Sequence, residues 1–134
     1  MNRMAPALIA GKERQLNYSI EVMFNMREKF GSLDHAFDVL GGDDIEAFEA
    51  VRWFAVAMAN DAELCRRDAG YDPQPMVSED DISLRIQPLE FAQLRDAVID
   101  AITLGYKREL VNEDEEVDVG LEELRSKKTQ AGGM

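Results

Sequence analysis

The stretch LNYSIEVMFNMREKFGSLDHAFDVLGG, residues 16–42, contains the start and stop signals of two consecutive helices. Ser19 can accept hydrogen bonds from the free backbone N–H groups of a first helix. The apolar side chains of that helix fall on one face and are Val22, Met23, Met26 and Phe30. Gly31 predicts its end, because glycine tolerates the left-handed conformation that follows many helices. Ser32 then predicts the cap of a short second helix, which Gly41–Gly42 ends.

Upstream of this stretch the sequence predicts a β-hairpin. Two short strands, residues 7–10 and 13–18, flank Gly11–Lys12, and a glycine-led pair of residues suits a type II′ turn. An isolated hairpin of this length is only marginally stable in water. We therefore expect it to pack against a helix, with its outer edge as a candidate contact between copies of the chain.

Downstream, the longest helix is predicted to begin at Asp43, where Asp43 and Glu46 resemble a capping box, and to continue to about Arg67. Its apolar stripe consists of Phe48, Val51, Phe54, Ala55, Met58, Ala62 and Cys65. Further apolar residues widen this surface: Ile45, Trp53, Val56, Ala57 and Leu64. A helix that is apolar on more than one face is expected at the centre of its domain or against a partner.

The remainder of the chain predicts a loop, two further helices and a tail. The loop covers residues 70–75, because two prolines there cannot continue a helix. Residues 79–86 predict a short helix after Ser78, although the alternation of Ile82, Leu84 and Ile86 leaves a strand open. Pro88 suits the first position of a final helix.

We expect a mainly α fold: a small bundle of four to five helices with a short N-terminal β-hairpin. This helical domain would cover residues 1–111. Residues 112–134 would form a flexible, disordered acidic tail, because eight carboxylates fall between positions 109 and 123.

Composition restricts the classes of function. The 134 residues include 15 Lys and Arg against 27 Asp and Glu, a net charge of −12, which opposes binding to nucleic acid. No apolar run reaches the length of a membrane span or of a signal peptide, and a single cysteine fits a reducing compartment. We expect a cytoplasmic protein that binds neither nucleic acid nor membrane.

The sequence predicts no enzyme activity, no cofactor and no metal site. The single histidine, His35, is expected on the surface of the short helix, and Cys65 is expected to pack inside the apolar stripe. The acidic clusters lack the spacing of a calcium-binding loop, and no glycine-rich phosphate-binding motif is present.

The order of these elements resembles the tail assembly chaperones of long-tailed bacteriophages and prophages. The matching residues are Glu28, Lys29, Phe30, Gly31 and Ser32 at the break after the first helix, followed by a long apolar helix over 48–65 and a Pro-led final helix. The resemblance covers roughly residues 7–110. It implies a non-catalytic helper in the cytoplasm of the bacterial host, absent from the mature virion. Such a helper binds the helical tape measure protein and assists assembly of tail tube subunits around it.

We expect partner contacts on the outward side of the long helix and in the loop after it, at Trp53, Val56, Leu64 and Tyr71. Leu121 and Leu124 in the acidic tail are further candidates. For Trp53 a core position is the alternative.

Two other functions stay open: an acidic DNA mimic that inhibits a host DNA-binding protein, and a structural head–tail component.

Overall fold

The computed structural model describes residues 4–114, which form two strands and five helices. The elements in chain order are β1 Ala5–Ile9, β2 Lys12–Leu16, α1 Ile20–Phe30, α2 Leu33–Leu40, α3 Ile45–Asp68, α4 Glu79–Ser83 and α5 Pro88–Asp114. The expectation of a mainly helical fold with a short N-terminal hairpin is confirmed.

The hairpin is present, but its predicted turn was wrong by one residue. Strands β1 and β2 pair antiparallel with Ile9 opposite Lys12, so the turn residues are Ala10 and Gly11. Both have positive φ, 53° and 82°, as a type I′ turn requires. The apolar pattern explains the shift: Ala5, Ala7 and Ile9 alternate towards the core, and a slip of one residue would turn them outwards.

The predicted signals around α1 and α2 are confirmed. Backbone N–H groups donate to the hydroxyl oxygens of Ser19 and Ser32 at 3.2 and 3.1 Å. Between the helices, Gly31 has φ of 89°, a conformation that a side chain would disfavour. The end of α1 and the start of α2 are therefore both capped within the two residues that separate the helices.

Helix α3 begins one residue later than predicted. Asp44, not Asp43, is the cap, and its carboxylate accepts a hydrogen bond from the N–H of Ala47 at 2.9 Å. The predicted capping box of Asp43 and Glu46 was therefore wrong. The helix begins one residue later, so the backbone N–H that the capping side chain accepts from belongs to Ala47, three residues after Asp44.

Helix α3 occupies the centre of the core, as its wide apolar surface predicted. It contacts β2, α2, α4 and α5, while β1 lies against α5. Among its side chains Val51, Phe54 and Met58 are completely buried. Cys65 was predicted to be buried but is exposed, and Glu63 takes an inward position near that end of the helix.

The ambiguous segment after the loop is helical. Helix α4 covers Glu79–Ser83, and Ser78 and Asp81 form a reciprocal capping box at its start. The helix is shorter than the predicted 79–86, and Ile82 is its buried residue. The helical alternative for this segment is confirmed over its first five positions.

Helix α5 begins at Pro88 as predicted and packs closely against the segment that precedes α1. A methyl group on Gly105 would lie 2.8 Å from a ring carbon of Tyr18. The helix continues to Asp114, beyond the predicted boundary at residue 111. The rest of the predicted tail, 115–134, lies outside the described residues.

Candidate docking cleft

An open cleft of about 440 Å³ lies between the end of α1, helix α2, the first half of α3 and the start of α4. It is lined by Lys29, Phe30, His35, Val39, Glu46, Glu49, Ala50, Arg52, Trp53 and Glu79. We call this the Trp53 cleft. Its lining combines apolar and aromatic side chains with side chains of both charges, which suits a polypeptide partner with apolar and polar faces.

Three aromatic rings hold the wall of the cleft in place. The rings of Phe30 and Phe54 stack with centroids 5.4 Å apart. The Trp53 ring meets both edge-on, at 5.9 Å from Phe30 and 4.9 Å from Phe54. Because Phe54 is completely buried, this contact fixes the half-buried Trp53 to the core. The indole is therefore both part of the structure and available at the cleft.

Charge surrounds this aromatic wall. The ammonium nitrogen of Lys29 lies 5.9 Å from the centre of the Trp53 ring, within the range of a cation–π contact. Glu46 and Glu49 are exposed along the α3 side of the cleft. Side chains of both signs therefore flank the aromatic wall, so the cleft offers charged and apolar contacts side by side.

The predicted partner-binding residues do not form one surface. Trp53 lines the cleft, and Val56 is half-buried against the core. Leu64 and Tyr71 are exposed, at 53% and 64% of their surface. Leu64 lies eleven residues after Trp53, about 16 Å along the helix.

The described structure therefore places the expected contacts in two locations. One location is the Trp53 cleft, and the other is the end of α3 with the loop after it, where Leu64 and Tyr71 lie. At this second location the Arg66 guanidinium lies over the ring of Tyr71 at 5.4 Å. Leu121 and Leu124 fall outside the described residues.

The loop between α3 and α4 is bound to α3 by polar contacts that sequence reasoning missed. The side-chain amide of Asn60 donates to the carbonyl of Val77 and accepts from its N–H, at 3.0 and 2.7 Å. Nearer the end of α3, the N–H of Gln74 donates to the Glu63 carboxylate at 2.7 Å. The available signal was the presence of Asn60 and Glu63 on a helix whose apolar residues cover more than one face.

Glu63 is the buried charge of this region, with 2% of its surface exposed. The hydrogen bond from the N–H of Gln74 is the main reason that the pKa of the Glu63 carboxyl is lowered to about 2. Arg67 and Arg66 lower this pKa further, whereas burial opposes them by raising it. Arg66 and Arg67 donate to the two carboxylate oxygens at 2.8 and 2.9 Å. This cluster fixes the path of the loop and places Tyr71 beside α3.

The other features of residues 4–114 that bear on chemistry are the possible metal ligands, the cysteine and the long helices. No group of three or more His, Cys, Asp or Glu in that range is arranged to hold a metal ion. Although Cys65 is exposed, partial desolvation of its thiol raises the pKa, and the negative charges of Asp61 and Asp68 raise it further. Of the helices in the described part of the chain, none is long and apolar enough to cross a membrane.

Comparisons with protein families, with curated proteins and with solved structures found no match to this chain.

Proposed function

We propose that this chain is a non-catalytic tail assembly chaperone of a long-tailed bacteriophage or prophage. It binds the helical tape measure protein in the cytoplasm of the bacterial host and keeps it soluble while tail tube subunits assemble around it. It leaves before the virion is complete. The proposal joins the resemblance carried by residues 28–32 to the properties of the Trp53 cleft.

The observation that carries the proposal is the aromatic wall of this cleft. An amphipathic helix binds by placing its apolar side chains in a groove, and tryptophan is a frequent anchor at such contacts. Two residues of the resemblance, Lys29 and Phe30, also line the cleft. The segment that suggests the family therefore contributes to the surface that suits a helical partner.

The charge of the chain supports the same role. A tape measure protein presents apolar helical faces before assembly, and these faces aggregate. A bound chaperone with a net charge of −12 covers such a face and adds repulsion between complexes. Within this proposal, Leu121 and Leu124 are contacts for tail tube subunits.

Co-expression tests the proposal. The tape measure protein of the same phage is produced with the wild-type chain, with Trp53→Ser and with Phe24→Ser, and its soluble fraction is measured. Phe24 is the matched control, because it is 58% exposed on α1 and does not line the cleft. We expect rescue by the wild-type chain and by Phe24→Ser, and loss of rescue with Trp53→Ser.

Helicity measured by circular dichroism separates loss of binding from loss of folding. If Trp53→Ser is unfolded, the double variant Glu46→Lys, Glu49→Lys replaces it, because both side chains are exposed at the cleft. Absence of rescue by the wild-type chain would refute the proposal. Salt-sensitive binding to a DNA-handling enzyme instead, or recovery of the chain from purified virions, would favour one of the two alternative functions.

A further inference from the structure

Helices α3 and α5 carry the same short pattern at positions that meet in the fold. In each, an arginine follows a phenylalanine by four residues: Phe48 and Arg52 in α3, Phe91 and Arg95 in α5. Residues four apart lie on the same face of a helix. Each guanidinium accordingly lies over its own phenylalanine, at 5.2 Å for Arg52 and 5.7 Å for Arg95.

The two patterns form one feature, because the rings of Phe48 and Phe91 pack together with centroids 5.4 Å apart. We call these four residues the arginine platform. Stacking on an aromatic ring leaves the planar edge of a guanidinium, with its N–H donors, free to meet an acceptor. Two such groups on one aromatic pair provide a cationic surface.

The hydrogen-bonding capacity of the platform is largely unused. The Nε atoms of Arg52 and Arg95 are buried and have no hydrogen-bond partner. Arg52 donates to the Ser83 hydroxyl at 3.0 Å through Nη1. Over residues 4–114 neither guanidinium forms an ion pair with a carboxylate, whereas Arg85 pairs with Asp81. Because the buried Nε atoms are out of reach, an acid from outside would contact the terminal Nη groups of these two arginines, which have no acidic partner in the described part of a chain with 27 acidic residues.

Exposed apolar side chains lie next to the platform. Ile45, one turn before Phe48 on α3, is 66% exposed. Leu84, the residue after Ser83, is 72% exposed. Large exposed apolar side chains beside a desolvated cationic group are typical of protein–protein contact surfaces.

We propose that the arginine platform binds a carboxylate side chain of the partner helix, so that the chain selects amphipathic segments with an Asp or Glu among their apolar residues. The inference rests on the proposed function and specifies which segments of the partner are recognised. Arg52 also lines the Trp53 cleft, so a single helix can contact both. Two guanidiniums supply charge-assisted hydrogen bonds to the acid, and Ile45 and Leu84 cover its apolar neighbours.

The chain's own acidic segment is a poorer occupant on grounds of reach. Helix α5 extends nineteen residues from Arg95 to Asp114, about 29 Å away from the platform. Of the acids beyond Asp114, Glu115, Glu116 and Asp118 are at most four residues away, about 14 Å of extended chain. Glu122 and Glu123, eight and nine residues away, span the distance only as a fully extended chain of about 26–32 Å. A second copy is disfavoured as well, because each copy carries a net charge of −12.

The test uses fluorescein-labelled 20-residue peptides that tile the tape measure protein, titrated into the full-length chain and followed by anisotropy. We expect the peptides that bind to carry an acid between apolar residues. Replacing that Glu by Gln in the peptide should weaken binding at least about tenfold. The peptide substitution leaves the protein intact, so this arm does not depend on the folding of any variant.

The protein arm is a double-mutant cycle. The double variant Arg52→Gln, Arg95→Gln should lose about tenfold in affinity for the Glu peptide and little for the Gln peptide, since the coupling belongs to the charge contact. Arg27→Gln, an exposed arginine of α1, is the control and should bind both peptides as the wild type does.

The outcomes separate the two proposals. If no peptide binds the wild-type chain, the proposed function fails and this inference fails with it. If peptides bind but neither their acid nor the two arginines affects affinity, the inference fails and the proposed function stands.

If Glu122→Gln, Glu123→Gln in the full chain strengthens binding of acidic and neutral peptides equally, the chain's own tail is the occupant. If Arg52→Gln changes the sedimentation mass, the occupant is a second copy. Either of these last two results overturns the inference.

Discussion

The side-chain amide of Asn60 and the backbone of Val77 form a two-way hydrogen-bonded pair between the middle of α3 and the loop before α4. Val77 is buried, with 3% of its surface exposed, so water does not readily replace either bond. The pair fixes the entry to α4, the helix that supplies Glu79 to the Trp53 cleft and Ser83 to Arg52.

Asn60→Ala is therefore expected to destabilise the protein by about 1–3 kcal/mol, because it leaves a buried N–H and a buried carbonyl without partners. Urea unfolding followed by circular dichroism measures the loss. The control is Asn25→Ala, in which the replaced asparagine is exposed on α1. Equal stability of the two variants would show that the pair does not hold the loop.

Glu63→Gln is expected to change how stability depends on pH. The folded pKa of about 2 lies below the ordinary value of 4.5, so the carboxylate stabilises the fold above about pH 4.5. That contribution is lost as pH falls from about 4.5 towards 2. In this range unfolding of the wild type takes up protons, and the Gln variant should take up about one fewer.

Unfolding free energies of the two proteins measured from pH 7 to pH 2.5 test this expectation. The variant should be the less stable one at neutral pH, and the gap should narrow as the solution becomes acidic. Glu49→Gln, at an exposed position of the same helix, is the control and should follow the wild type. A gap between Glu63→Gln and wild type that stays constant with pH would contradict the role given to Glu63.

Gly105→Ala is expected to destabilise the protein although alanine favours helix. The added methyl would lie 2.8 Å from Cδ2 and 3.1 Å from Cβ of Tyr18, whose hydroxyl lies 3.1 Å from that of Tyr106. Overpacking of this kind costs about 1–3 kcal/mol, more than the gain in helix propensity of about 1 kcal/mol. Thermal unfolding measures the difference.

Gly41→Ala is the matched control for that experiment. Gly41 has φ of −82°, and the nearest atom to an added methyl is 3.5 Å away. It should therefore be tolerated. If Gly105→Ala were as stable as Gly41→Ala, helix α5 would have room to move away from Tyr18.

Local signals in the sequence predicted the parts of the fold that depend on neighbouring residues. Ser19, Gly31 and Ser32 act as predicted, because a cap or a left-handed residue is decided within one helical turn. The start of α3 was wrong by one residue because two adjacent aspartates can both cap. The hairpin turn was wrong because its register depends on which side chains face the core.

The site was less predictable, because its contacts join distant parts of the chain. Trp53 was predicted as a contact and lies at the cleft, but its contact with the Phe30 ring requires the packing of α1 on α3. The buried position of Glu63 depends on Gln74, and the arginine platform depends on helices that meet only in the folded chain.

Docking of a helical partner at the Trp53 cleft is tested most directly by the fluorescence of Trp53, the single tryptophan of the chain. Tryptophan-free peptides from the tape measure protein are titrated into the wild-type protein while anisotropy of the labelled peptide reports binding. We expect the Trp53 emission to shift to shorter wavelength with the same saturation curve as the anisotropy, because a bound helix removes water from the indole. Peptides that bind by anisotropy but leave the emission of Trp53 unchanged would show that the partner docks away from the Trp53 cleft.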